Sequence, residues 1–176
     1  MNAKRRTEEE AQAIMHRLKD LSCDDLHSLF KLGRVPSFEE IEGMNTGVVL
    51  AWNPRISTFY KLSWYILGGN SCARWSGMEF IKPFDKDRKG DGFNLYSNRF
   101  WSRRFGYETF ITNAVSDQEL CLRINYTFPS PQSTAFDDAR MIDDGVLLAQ
   151  GCAKREYPWK PNPIFVFYWV TVAVVQ

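Results

Sequence analysis

Pro163-Ile-Phe-Val-Phe-Tyr-Trp-Val-Thr-Val-Ala-Val-Val175 is the most apolar run of the chain. It is rich in β-branched and aromatic residues, which suit a pleated, packed surface. Read with a period of two, Phe165, Phe167 and Trp169 point to one side. Val166, Tyr168, Val170, Val172 and Val174 point to the other. Both sides are apolar, so the run reads as a strand covered on both faces. The rival reading is a membrane anchor. A spanning helix needs about 20 apolar residues, and this run is shorter and starts at Pro163. A doubly covered strand needs a sheet waiting for it, and the preceding sequence supplies one.

Working back from this run, Val146 to Ala153 reads as a strand, joined through Asp143-Asp-Gly145 to a shorter one over Phe136 to Ile142. Asp-Asp-Gly is a strong hairpin signal. Glu119–Thr127, Tyr107–Val115, Phe93–Trp101 and Arg74–Lys82 read as further strands, with turns at Ser116-Asp117 and Asp85 to Gly92. Gly47–Trp52 reads as the first, stopped by Asn53-Pro54. Residues 57–67 fit a short helix or a strand, and a helix is favoured. Short strands in sequence, without crossover helices, read as antiparallel. Closure into a barrel removes the exposed edges. The fold expected is therefore mainly β: an antiparallel, lipocalin-like (calycin-type) β-barrel.

Ahead of it, residues 8–32 carry the helical spacing Ala11, Ile14, Met15, Leu18, Leu21, then Leu26, Leu29, Phe30, with Ser22-Cys-Asp-Asp25 restarting a second helix and Gly33 ending it. Ser37-Phe-Glu-Glu40 predicts one further helical turn. The expected organisation is one domain over 1–176, with a helical lead at 8–33 and the barrel at 43–176. The 176 residues suffice for a real core.

The 22 Lys and Arg nearly balance the 21 Asp and Glu, so charge makes no case for nucleic acid or an anionic membrane. The first ten residues lack the apolar segment of a secretory signal. Cys23, Cys72, Cys121 and Cys152 are scattered, with no zinc spacing, and read as reduced thiols. A cytoplasmic location follows as the expectation. His16 and His27 sit at polar helical positions and read as solvated.

The acidic turn Asp85-x-Asp87-x-Lys89-Gly90 faintly resembles a calcium loop, but Lys89 takes a ligand place and Tyr96 stands where a Glu is required. There is no G-x-S-x-G, no histidine in the barrel strands and no phosphate loop. No metal and no cofactor is expected. What remains is polar groups on apolar strands amid 15% aromatic residues. Turned inward, such a face makes a small-molecule pocket. The candidate walls are Trp75, Tyr96, Trp101 and Tyr126. The candidate polar groups are Glu79, Asn94, Arg123 and Arg140. Either arginine could pair with a ligand carboxylate, with Glu79 or with Asp138. Alternation alone does not say which face is inside.

The order of short motifs resembles a family named for a G-x-W-x-G motif. Leu29-Phe-Lys-Leu-Gly-Arg-Val-Pro-Ser-Phe-Glu-Glu-Ile-Glu42 stands at its lead, and Gly43-Met-Asn-Thr-Gly47 at its motif, with Asn45 in place of Trp. Trp75-Ser-Gly-Met-Glu-Phe80 follows, with Met78 in place of Lys, then Asp137-Asp-Ala-Arg140 and Asp143-Asp144. The resemblance implies a lipocalin-like barrel. In such barrels a Trp at the motif would plug the closed end, so here Trp75 or Trp101 is expected to do so.

Three functions are carried forward. The first is binding of a small hydrophobic molecule inside the barrel. The second is a lyase, isomerase or cyclase in the same barrel, with acid–base work by Glu79, Tyr96 and Arg123. The third is an interaction protein with a solid core. The oligomeric state is left open by the sequence.

Overall fold

The computed structural model describes residues 5–59, 61–62, 75–97, 103–126, 134–154 and 163–175. Three helices come first: α1 (Glu8–Lys19), α2 (Cys23–Leu32) and α3 (Phe38–Ile41). Eight strands follow: β1 (Gly43–Trp52), β2 (Trp75–Lys82), β3 (Gly90–Tyr96), β4 (Arg103–Asn113), β5 (Leu120–Tyr126), β6 (Ala135–Asp143), β7 (Val146–Ala153) and β8 (Ile164–Ala173). Each strand pairs antiparallel with the next, and β8 pairs with β1, so the barrel is closed. This is the mainly β, lipocalin-like architecture that the hairpin turns predict. Of the ambiguous stretch, residues 58–59 and 61–62 are helical, and 63–67 lie outside the described residues.

Local chemistry sets the helix starts. Thr7 and Glu10 close a capping box on α1, and Ser22 and Asp25 close one on α2. Both helices lie against the outer wall. Ala11 and Met15 of α1 pack on Val146, Val170 and Val172. Leu26 and Phe30 of α2 pack with Leu148, Tyr168 and Cys121. The outer face of β8 is therefore covered by helix, while Trp169 belongs to the inner cluster. Phe165 departs from the simple alternation. A register shift between Gly151 and Cys152 moves it outward, where its ring meets Tyr168 at 4.6 Å.

His16 is exposed, as its position predicts. His27 is not simply solvated: its Nδ1 lies 3.0 Å from the Tyr168 hydroxyl, to which Gln150 also donates. Cys23, Cys121 and Cys152 are free thiols, and Cys72 lies outside the described residues. The acidic turn is held by ion pairs, Asp85 with Arg88 and Lys89 with Glu108. Among the described residues no helix is long and apolar enough to cross a membrane.

The two ends of the barrel differ. At one end lie the short β2–β3, β4–β5 and β6–β7 turns, together with α3. Here Phe38 and Ile41 of α3 enter the inner cluster beside Phe84, with the Phe38 and Phe84 rings edge to face at 6.1 Å. These residues close this end. Trp75, expected to do so, starts β2 at the opposite end, and Trp101 lies outside the described residues. Asn45 serves as a tie instead. Its Nδ2 donates to the carbonyls of Ile41 and Gly43 and fastens α3 to β1. The connections 53–74, 97–102, 127–134 and 154–163 join strand ends at the other end.

Candidate functional site

Strand alternation and register sort the candidate residues onto two faces. Trp75 and Tyr126 join the inner cluster. Asn94 accepts a hydrogen bond from the Trp75 indole at 3.0 Å, and Tyr96 stands opposite Trp75 in the register. These four share the interior. Glu79, Arg123 and Arg140 do not. Glu79 lies between the inward Met78 and Phe80 and opposite the exposed Met44 and Phe93. It pairs with Arg103 at 2.6 Å. Arg123 grips both oxygens of Asp138, at 2.7 and 3.0 Å, and its guanidinium stacks on Phe136. Arg140 makes two 2.7 Å bonds to Asp117 and lies over the Phe30 ring of α2. Its guanidinium holds the Asp117 carboxyl below the usual carboxylate range.

The grouping of Glu79, Arg123 and Arg140 with the wall aromatics is thereby corrected. A charged side chain on an apolar strand needs a partner, and these find theirs on the outer surface. The expected acid–base set of Glu79, Tyr96 and Arg123 is split between the two faces. Trp101 lies outside the described residues.

The interior holds another carboxyl. Asp137 stands opposite Ile124 on one side and Gly151 on the other, and is 3% exposed. The Tyr126 hydroxyl donates to its Oδ2 at 2.7 Å. Trp169 lies close enough to the same carboxyl to favour its ionised form, and Asn94 neighbours the Tyr126 hydroxyl. A polar path thus runs from Trp75 through Asn94 and Tyr126 to Asp137. Rings enclose it: Trp75 meets Trp169 at 5.7 Å, and Tyr107 meets Tyr126 at 6.1 Å, each edge to face. The Tyr107 hydroxyl is spent on the Glu79 carbonyl at 2.9 Å. Phe167 passes over Gly151, where an added Cβ would sit 2.7 Å from its ring. Trp75 and Phe167 remain partly exposed, so the inner wall meets solvent at their end.

The electrostatics follow from burial. Removal from water pushes the Asp137 carboxyl up to about 7, with the negative charge of Asp138 adding to it. The bonds from Tyr126 and Trp169 pull the other way without offsetting it. Burial raises the Tyr126 and Tyr107 hydroxyls well above the ordinary tyrosine value, so both stay neutral donors. Thr109 and Thr171 face the same interior, and their buried hydroxyls have no hydrogen-bond partner among the described residues. Near the end opposite α3, Phe105 has φ of 51° at a register shift of β4 and presents its ring to Tyr96 at 5.9 Å. A bulky residue there costs about 1–3 kcal/mol, held by the surrounding sheet.

Asp137 and Trp169 escape the sequence reading of the site. One signal for Asp137 is nonetheless present. Asp137 and Asp138 are adjacent in a strand, so alternation must send one of them inward. Ala135 and Ala139 leave room beside it.

No family model matches the chain, and no curated protein matches it. A solved structure does: the crystal structure of a protein from Thermomonospora curvata, at 14% identity and a TM-score of 0.53, covering 96% of this chain and 98% of that one. At that identity the likeness is one of fold alone, and it extends over the barrel and its N-terminal helices together.

Proposed function

We propose that the barrel binds a small, mainly apolar molecule in its interior, in the half nearer Trp75 and Phe167. The observation that carries this reading is the Asp137–Tyr126 pair, set on the inner wall among Trp75, Trp169, Tyr107 and Phe167. A wall serving only as core would gain by filling that place with aliphatic groups, since a buried carboxyl costs several kcal/mol of lost hydration. Apolar walls with a few converging polar groups are what small-molecule sites are made of. The inward Thr171, whose methyl shares the space over Gly47 with the Trp75 ring, extends the polar choice through its hydroxyl.

Titration with an anilinonaphthalene dye tests this. One dye per barrel is expected, with Trp75→Ala and Phe167→Ala weakening binding several-fold while a cooperative melt is kept. A folded protein that binds no apolar probe would contradict the proposal and favour an interaction protein with a packed core. The carboxyl poised near neutrality supports a second reading, proton transfer on a bound substrate by Asp137 with Tyr126. Turnover of a bound compound, lost in Asp137→Asn, would favour it.

A further inference from the structure

We infer that the ligand of the barrel carries a protonated amine, seated on the Asp137 carboxylate and against the surrounding Trp and Tyr rings. The inference rests on the binding reading above and names the chemistry of the ligand. Its basis is charge placement. Asp137 has neutral donors as its described contacts, the Tyr126 hydroxyl and the Trp169 indole. The charge that acts on it is that of Asp138, which points to the outer face and belongs to Arg123. Arg103 and Arg140 are committed to Glu79 and Asp117, again outside. At the rim, Lys154 places its ammonium on the Tyr126 carbonyl at 3.3 Å. Among the described residues, the other groups near Asp137 and its Tyr126 partner are Asn94 of β3, Tyr107 of β4 and Cys152 of β7, all neutral, with Trp75 of β2 bonded to Asn94.

A carboxylate accepts about four hydrogen bonds, and the Tyr126 hydroxyl occupies one of those directions at Asp137, with Trp169 close by. An ammonium group offers three donors and a full positive charge. Aromatic faces attract cations, by about 0.5–2 kcal/mol each when water is excluded. An anionic ligand would meet Asp137 with like charge. A neutral alcohol could be held but would leave the carboxylate unbalanced.

Linkage provides the test. An ammonium binds the ionised carboxylate, so binding displaces the proton from Asp137. Affinity should rise as pH rises through about 7 and then level off. Calorimetry would compare 2-phenylethylamine, 2-phenylethanol and phenylacetate on the full chain at pH 5 and pH 8. The amine remains protonated over this range. The amine is expected to bind on the order of 100-fold tighter at pH 8 than at pH 5, from one linked proton. At pH 7 it should release about half a proton, read from the dependence of the heat on buffer. At pH 8 it should exceed the alcohol by at least about tenfold, and phenylacetate should be weakest. Asp137→Asn should bring amine and alcohol level and abolish the pH dependence. Should that variant fail to fold, proton release by the unaltered chain still decides.

If the dye and the alcohol bind but the amine gains nothing and releases no proton, the amine inference is overturned and the binding reading stands. If neither dye nor any of the three binds, both fall.

Discussion

Two adjacent aspartates show how much a single residue step decides here. Asp138 faces outward and is held by Arg123 and by the Val115 N–H. Asp137 faces inward and meets a phenol and an indole. The consequence for pH has a definite sign. The folded protein raises Asp137 from the ordinary 3.8 to about 7, so the folded state holds its proton more tightly than the unfolded chain. The associated stability is full below pH ~4 and lost as pH rises to about 7, by up to about 4 kcal/mol. Melting temperatures of the native chain should therefore fall between pH 5 and pH 8 by a component that Asp137→Asn lacks. Glu40, lowered to about 2 by its bond from Arg34, acts in the opposite sense, but below pH ~4.5, outside this window. Arg123→Ala would leave Asp138 buried without its cation. A loss of about 3–5 kcal/mol is expected, roughly 10 °C in melting temperature, seen in a thermal melt. The motif glycines also acquire reasons. At Gly47 a Cβ would meet Thr171 at 2.6 Å and the Trp75 ring at 2.9 Å, so Gly47 makes the seat for Trp75. Gly77, with φ of 148°, lies where a Cβ would come 1.9 Å from the Asn45 carbonyl oxygen. Gly77→Ala should cost at least about 3 kcal/mol in denaturant melts, since backbone and not a flexible tip stands in the way. Charged residues on apolar strands stand out in the sequence as candidates. Which face each one takes does not, because alternation has two phases and register shifts change phase within a strand.

At the scale of elements, the strands are legible wherever hydrophobic alternation meets a turn signal. The β6–β7 hairpin is the clearest case: Asp143-Asp144-Gly145 supplies a tight turn, with Gly145 at φ of 72°. The start of β3 is less legible. Gly90 and Gly92 look like turn residues, yet both belong to the strand, because the Thr109 and Tyr107 side chains of β4 occupy the space a Cβ would need. β1 likewise begins at Gly43, four residues earlier than its apolar run suggests, through pairing with β2 that cannot be read locally. The helices are legible from spacing and caps, but not where they dock. Arg140 pins α2 to the wall: its guanidinium lies over the Phe30 ring and donates to the Phe30 carbonyl. Arg140→Ala should loosen α2 and speed hydrogen exchange over 23–32. Arg140→Lys should rescue little, because a lysine lacks the fork that grips both Asp117 oxygens. Deleting residues 164–176 removes β8 and with it inner and outer apolar surface together. Loss of the cooperative melt is expected, and a truncated chain that still melted sharply would contradict an integral β8.

The barrel is a sheet wound once around a mainly apolar interior, with α3 packed into one end and the polar path nearer the other. Seven of its eight seams join neighbours in sequence, and the eighth joins β1 to β8. That last seam sets the order of events during synthesis. Until residue 173 has been made, β1 and β7 are the two free edges of an open sheet, and α1 lacks the valines of β8 on which it packs. Nascent chains therefore carry their stickiest edges until the final strand arrives. A contact between opposite ends of the chain is also slow to find, since a long loop must close before it is rewarded. Refolding from denaturant should proceed in milliseconds to seconds, with recovery falling as protein concentration rises. The strand that completes the wall is thus also the one that ends the chain's exposure to its neighbours.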